Sequence, residues 1–251
     1  MELKDLLPIP DLAGCKKLLC IQPHPDDNEI GAGATIAKLA QSGCHITYLT
    51  VTDGALGTLD PAVDPGELAL TRKKEAEESA KLLGVSSALY LDYPDGSYPN
   101  EQELTSRILT VIREEQPEMV MTVDPFLPYE AHPDHRRVGM AAAVACLFSS
   151  FPHYRSYGDP NPSKQWEVKG IAFYNTAYPN TFIDADDTWD LKIRSIAVHR
   201  SQFDEETLAK YKGYFDFKAA QYAAGRGFAY AEAFKVLAPL HLHVNVDTIH
   251  A

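Results

Sequence analysis

The sequence predicts an α/β fold, a mostly parallel sheet with helices on both faces. Three observations carry this expectation. Short apolar or β-branched runs alternate with longer amphipathic ones along most of the chain, the pattern of successive βαβ units. The connecting segments hold Gly, Pro and Asp, the residues of turns and helix stops. The 251 residues are 45% hydrophobic, enough for one sizeable core without disulfides or metals as staples. No linker or internal repeat interrupts the chain, so residues 1–251 are read as a single domain.

Residues 1–14, with Pro8 and Pro10, read as a loose arm. Lys17 to Gln22 (KLLCIQ) is a short apolar run and reads as a buried strand, broken by His24 and Pro25. Gly31 to Gln41 has helical composition and stops at Ser42-Gly43. His45 to Thr52 (HITYLTVT) is β-branched and aromatic, hence a strand. After the loop from Asp53 to Pro65 comes the clearest helix, Glu67 to Leu83. Leu68, Ala76, Leu82 and Leu83 form its inner stripe, Lys and Glu its outside, and Gly84 its C-terminal cap. Ala88 to Leu91 reads as strand, Glu103 to Glu115 as helix, Glu118 to Val123 (EMVMTV) as strand and Val138 to Phe148 as helix. Residues 149–167, rich in Pro, Tyr and Ser, read as a long functional or interface loop. Lys169 to Asn175 and Thr181 to Asp184 are strand candidates, and Asp187 to His199 and Glu205 to Ala224 helices.

Composition excludes some partners. A formal net charge of -12 argues against nucleic acid and anionic membranes, which select clustered Lys and Arg. No run is long and apolar enough to span a bilayer, and Met1 to Asp5 lacks the basic start and apolar core of a signal peptide. Cys15, Cys20, Cys44 and Cys146 show neither a CxxC pair nor zinc-finger spacing. They read as unpaired thiols, Cys20 and Cys44 as buried ones, and point to a reducing cytoplasm.

Two short runs carry the chemistry: Pro23-His24-Pro25-Asp26-Asp27, and Ala131-His132-Pro133-Asp134-His135. Alone, either reads equally as turn chemistry, because Asp caps turns and Pro shapes them. Each follows an apolar strand candidate, however, and parallel sheets bind ligands beyond the carboxyl ends of their strands. Together they predict one metal site. Catalytic zinc takes three ligands from His and carboxylates and keeps one position open; His24, Asp27 and His135 supply that set, with Pro25 stiffening the turn. Fe(II), Co or Ni suit the same donors. Asp26, beside the metal without ligating it, is the expected general base. His132 stands on the substrate side as a cation that stabilises an oxyanion or protonates a leaving amine. Asp134 hydrogen-bonds a site histidine and fixes its tautomer. Gly31-Ala32-Gly33 invites a dinucleotide reading, but Ile36 occupies the third glycine position of GxGxxG. Close helix–strand packing is the favoured explanation for these glycines.

At this point the residues resemble a known family, the PIG-L or LmbE-like zinc-dependent N-acetylglucosaminyl deacetylases. The resemblance rests on His24-Pro25-Asp26-Asp27 with Glu29, Gly31 and Gly33, and on His132-Pro133-Asp134-His135. It extends through Thr71-Arg72 with Glu75, Leu83-Gly84-Val85, Lys192, His199-Arg200-Ser201-Gln202 and Tyr230-Ala231-Glu232-Ala233-Phe234. Leu127-Pro128-Tyr129-Glu130 and Val198 to Phe203 look most like the diacetylchitobiose deacetylase-type members. The resemblance implies a Rossmann-like fold and zinc on His24, Asp27 and His135. It implies Asp26 as base and His132 as oxyanion stabiliser, with Arg72 and Asp95 binding sugar hydroxyls. It also implies a homo-oligomer, a hexamer in similar enzymes, in which His243 (or His241) of one subunit borders a neighbour's site. From the residues alone, Arg72 reads equally as an exposed helix residue, Asp95-Gly96 as a turn and His243 as an exposed histidine.

The expected activity is removal of the N-acetyl group from a small amino sugar such as N-acetylglucosamine or diacetylchitobiose. The same chemistry on a GlcNAc-malate conjugate of thiol biosynthesis, or on an acylated glycopeptide, is the nearest alternative. A non-catalytic sugar-binding domain is the alternative of another class, and the spare carboxylate of Asp26 argues against it.

Overall fold

The computed structural model describes residues 7–97, 100–158, 165–243 and 246–251. Its strands are β1 (Lys17–Gln22), β2 (His45–Thr52), β3 (Ser87–Tyr93), β4 (Met119–Val123), β5 (Gly170–Tyr174), β6 (Thr181–Asp184) and β7 (Ala231–Leu237). Its helices are α1 (Asp27–Gln41), α2 (Pro65–Leu83), α3 (Glu101–Glu115), α4 (Pro133–Phe148), α5 (Trp189–Ile196) and α6 (Glu205–Ala223). The strands join in one sheet of order β3-β2-β1-β4-β5-β7-β6. The pairs β1–β2, β2–β3, β1–β4 and β4–β5 are parallel; β7 runs antiparallel to β5 and β6. The predicted mostly parallel α/β fold is observed.

Alternation along β1 builds a core on each face. Leu18 and Cys20 join Ile36, Ile46, Leu83 and Phe234 under α1 and α2, while Leu19 and Ile21 join Ile108, Ile112, Val138 and Phe173 under α3 and α4. Thus β1 leads into α1 on one face and β4 leads into α4 on the other. Since β1 and β4 are neighbours, a crevice opens between them at the carboxyl end of the sheet, the switch point of such folds.

Several expectations need correction. The arm is not loose over its described part: Leu12 is fully buried, Ile9 packs against the core, and residues 1–6 lie outside the described residues. The loop expected over 149–167 needs no correction: it carries neither strand nor helix over its described residues, and it is held on both sides of residues 159–164. Arg113 donates to the carbonyls of Ser149, Phe151 and Tyr154, and the Trp166 indole donates to Pro117 O. The inner face of α2 is half polar: it buries Arg72, Glu75 and Ser79 beside Leu68, Ala76 and Leu83, whereas Leu82 is only partly buried. Strand β7 was not expected, because Glu232 and Lys235 interrupt its apolar pattern. Both are buried in the structure.

Glu232 explains how α1 is placed. Its carboxylate accepts the backbone N–H groups of Ala34 and Thr35 at 3.2 and 2.7 Å and pairs with the buried Lys192 ammonium at 2.6 Å. Lys192 also donates to Ile30 O at 2.7 Å. The glycines of α1 serve packing, as favoured above. A Cβ on Gly31 would stand 2.2 Å from the Tyr174 ring, and one on Gly33 3.1 Å from Lys192 Cγ. Lys192→Met would strand a buried carboxylate and is expected to cost about 3–5 kcal/mol, measured by urea unfolding. Adding Glu232→Leu should recover part of that loss.

Candidate metal-hydrolase site

The crevice gathers both motifs. Four residues separate the end of β1 from the start of α1, so His24 and Asp26 lie in the connecting turn and Asp27 opens the helix. Asp26 occupies the cap position with φ 137 and makes no capping bond. Such a φ is strained for a residue with a side chain and costs about 1–3 kcal/mol. The capping is done from elsewhere: Gln22, at the end of β1, accepts the Asn28 N–H at 3.0 Å and is itself anchored to Thr50 Oγ1. The Asp26 carboxylate is thereby left for the site. His132 to His135 form the other wall, where α4 begins. Both helix N-termini thus face the cleft, and their dipoles favour the carboxylates there.

Asp27 lies between two imidazoles. Its Oδ2 is 3.2 Å from His24 Nδ1 and accepts the His24 N–H at 2.8 Å; its Oδ1 is 3.4 Å from His135 Nε2. The far nitrogen of each ring faces a carboxylate. His24 Nε2 stands 3.3 Å from Asp95 Oδ1 and 3.4 Å from Asp134 Oδ2, and His135 Nδ1 stands 3.2 Å from Glu130 Oε2. Donor atoms of His24, His132 and His135 lie within 4.8 Å of one another, as do those of His24, Asp95 and Asp134. His132 differs from the other two: its Nδ1 accepts the Asp134 N–H at 3.3 Å as the cap of α4. The proton of its neutral ring is therefore on Nε2. The His132 ring stacks on His135 with centroids 4.6 Å apart.

The electrostatics are those of an acidic cleft. Burial works against charge on His24, but hydrogen bonds to Asp134, Asp27 and Asp95 push its pKa up to about 12. Burial opposes ionisation of Asp27, yet His135 and His24 hold its carboxyl far below the usual range. Burial raises Asp26 to about 7, although the Arg72 charge pulls the other way. Burial, then the charges of His24 and His135, lower His132. This donor set fits a divalent cation: a nitrogen of His24 and one of His135 converge on one carboxylate, with further acids behind the rings.

The chain matches the model of the GlcNAc-PI de-N-acetylase family, PIG-L, over residues 19–146. It is 40% identical over 229 residues to the diacetylchitobiose deacetylase of Thermococcus kodakarensis, covering 91% of this chain and 86% of that one. The chain belongs to the PIG-L family. A second relative is the 1D-myo-inositol 2-acetamido-2-deoxy-alpha-D-glucopyranoside deacetylase of Kineococcus radiotolerans, 32% identical over 62% of this chain and 51% of that one. The solved structure of N,N'-diacetylchitobiose deacetylase from Pyrococcus horikoshii, complexed with an inhibitor, superimposes with a TM-score of 0.91. It shares 39% identity and is matched over 99% of this chain and 95% of its own.

Other residues expected in this PIG-L site are placed as follows. Arg72 is not an exposed helix residue: it is 4% exposed and donates to Gly54 O, Pro25 O and Asp26 Oδ2 at 2.9, 3.1 and 3.2 Å. Asp95 begins a turn, with Gly96 at φ +67, and lines the same cleft as Asp26 and His132. His243 is exposed and does not line that cleft, whereas His241 is buried, its Nδ1 accepting the Ala238 N–H. Sequence reasoning gave no role to Glu130 or Gln22. Glu130 stands five residues before His135 and two before His132, whose N–H it accepts at 2.7 Å; only the fold of that loop aims it at the ring. Glu130→Ala frees the His135 ring and is expected to weaken divalent-metal affinity about 10–100-fold, measured by competition with a metallochromic chelator.

Proposed function

We propose that this chain is a metal-dependent N-deacetylase that hydrolyses the acetamide of N-acetylglucosamine compounds, diacetylchitobiose or free GlcNAc first among them. The observation that carries the reading is the division of labour in the first motif. Asp27 is engaged by two imidazoles, while the carboxylate of Asp26, its neighbour, meets Arg72 alone among the described residues and faces the cleft. A non-catalytic binder has no use for that second carboxylate. The identity to diacetylchitobiose deacetylase over nine-tenths of the chain supports the substrate class.

In this reading His24, Asp27 and His135 hold the metal, zinc by preference. When bound, it would supply Lewis acidity to the amide carbonyl and to water. Asp95, Asp134 and Glu130 hold the ligand imidazoles in their tautomers. Asp26 accepts the proton of the attacking water as the C–O bond forms. The Nε2–H of neutral His132 donates to the carbonyl oxygen as it gains charge; this replaces the cationic role expected from sequence. As the C–N bond breaks, Asp26 returns its proton to the amine, and acetate and the free amino sugar leave. Arg72 orients Asp26 and holds the neighbouring loop, and Asp95 remains the candidate for a sugar hydroxyl.

His243 enters this reading only across an interface with a second copy. Exposed apolar side chains near it, Leu240, Val246 and Ile249, support a homo-oligomer. Four free, buried cysteines support a reducing, cytoplasmic setting, and no helix among the described residues is long and apolar enough to cross a membrane.

Two experiments test the assignment. Asp26→Asn should keep its metal and lose about 10²–10⁴-fold in kcat, followed by acetate release from GlcNAc, diacetylchitobiose and a GlcNAc-malate conjugate. Metal analysis of the purified variants should show the ion lost in His135→Ala and kept in His132→Ala; the reverse would exchange their roles. The pH profile follows from Asp26. The base works ionised, so kcat/KM falls as pH drops through its pKa, which is about 7 without metal and lower once a cation is bound. Arg72→Met removes a positive charge beside it and should move the acid limb of kcat/KM to higher pH; a limb that stays in place separates Arg72 from the base.

A further inference from the structure

The loop after β2, Asp53-Gly54-Ala55-Leu56-Gly57, closes one side of the cleft. Hydrogen bonds to neighbouring elements hold it in place. Asp53 Oδ1 accepts the Asp95 N–H, Arg72 donates to Gly54 O, Asp95 Oδ2 accepts the Leu56 N–H at 3.1 Å, and Gln202 donates to Gly57 O at 3.0 Å. Gln202 is held in turn, because the adjoining Ser201 N–H and hydroxyl donate to the Glu75 carboxylate. Gly57 has no room for a side chain: a Cβ there would stand 2.4 Å from Arg72 Nη1 and 2.9 Å from Gln202 Oε1.

On this fixed backbone Leu56 is left 61% exposed. It lines the cleft with His24, Asp26 and His132, and the one other apolar side chain lining that cleft among the described residues is Pro133. Leu56 leans on the Asp95–Gly96 turn, its Cδ1 3.1 Å from where a Gly96 Cβ would be. Asp95 meets the Nε2 side of His24, whereas Asp27 and His135 gather on its Nδ1 side. Through Asp95, Leu56 is thus tied to the Nε2 side of His24, opposite the side that meets Asp27. In the deacetylase reading it would face the part of the substrate away from the scissile bond.

We propose that Leu56 is a specificity-determining residue. It offers the apolar C–H face of the amino-sugar ring a rigid platform, and so selects a pyranose over an acyclic acetamide. This rests on the deacetylase reading above. Leu56 touches no reacting atom, so its effect falls on sugar affinity and not on the chemical step.

The test compares wild type, Leu56→Ser, Leu56→Met and Leu59→Ser, the last a fully exposed leucine of the same loop that does not line the cleft. Each is assayed on GlcNAc and diacetylchitobiose, with glucosamine as competitive product inhibitor and thermal melting as the check on folding. Leu56→Ser should raise KM about tenfold and the glucosamine inhibition constant by a similar factor, with little change in kcat. Leu56→Met should restore most of the loss, and Leu59→Ser should match wild type. Unchanged KM and inhibition constant in a folded Leu56→Ser, with wild type active, would overturn the proposal and leave the deacetylase reading standing. A drop in kcat alone would overturn it too, by making the loop a support for the base. No acetate release by wild type from either sugar would overturn the underlying reading, and the platform with it.

Discussion

Everything in the cleft depends on a surplus of buried negative charge around one imidazole. Asp27, Asp95 and Asp134 each reach a nitrogen of His24 within 3.4 Å, and Asp26 lies next to Asp27 in the chain. Buried carboxylates at this density cannot all stay ionised without positive charge among them. Against the effect of burial, the carboxylates around His24 accordingly push its pKa up, and burial pushes Asp26 up. A divalent cation between His24 and His135 would supply positive charge there, freeing the His24 proton from Nδ1 and allowing Asp26 to ionise. Arg72 is the fixed part of the compensation, which is why this guanidinium on α2 is buried instead of solvated.

That charge balance holds only if α1 starts at one place and in one orientation. The sheet sets the start, because β1 is central and parallel to both neighbours. The orientation is set from behind by Glu232 of β7 and Lys192 of α5, which grip backbone groups in the middle of α1. Gly31 and Gly33 let Tyr174 and Lys192 come close enough to do so. A buried ion pair contributes little net stability compared with apolar packing; here it fixes the position of a helix whose N-terminus carries the proposed base and two expected ligands.

The sequence made the architecture legible wherever burial and period agreed. Strands β1, β2 and β4 are apolar runs, and the motifs after β1 and β4 fall on one rim because parallel strands share a carboxyl end. It concealed what depends on long-range pairing. Strand β7 carries two charges whose partners are distant in sequence: Glu232 meets α1 and Lys192, and Lys235 donates to the carbonyls of Ile249 and Ala251. From the residues alone Arg72 reads equally as an exposed helix residue and Glu75 as part of the charged outside of its helix, but they reach Asp26 and Ser201, and Ser79, which carries no sequence signal, reaches Glu29. Glu130 and Gln22 act through loop and cap geometry that no short motif encodes. In each case a polar residue was read by its type, whereas its place was decided by a partner from another element.

The two adjacent aspartates show how the fold assigns separate tasks to one residue type. Both are buried, and burial alone would raise both. Asp27 receives hydrogen bonds from two imidazoles and the His24 N–H, so it is held ionised, which suits the ligand role proposed for it. Asp26, at its positive φ, meets Arg72 instead, and burial raises its pKa to about 7, a value that suits the proton-carrier role proposed for it. The strain at Asp26 is what separates them. In a relaxed α1 first turn the side chain of residue 26 would cap the helix, and its carboxylate would be committed to backbone N–H groups. Gln22 takes over the Asn28 N–H from the strand side. The spare carboxylate beside the ligands thus follows from where a strand ends and how the next helix is capped, as much as from the identity of residue 26.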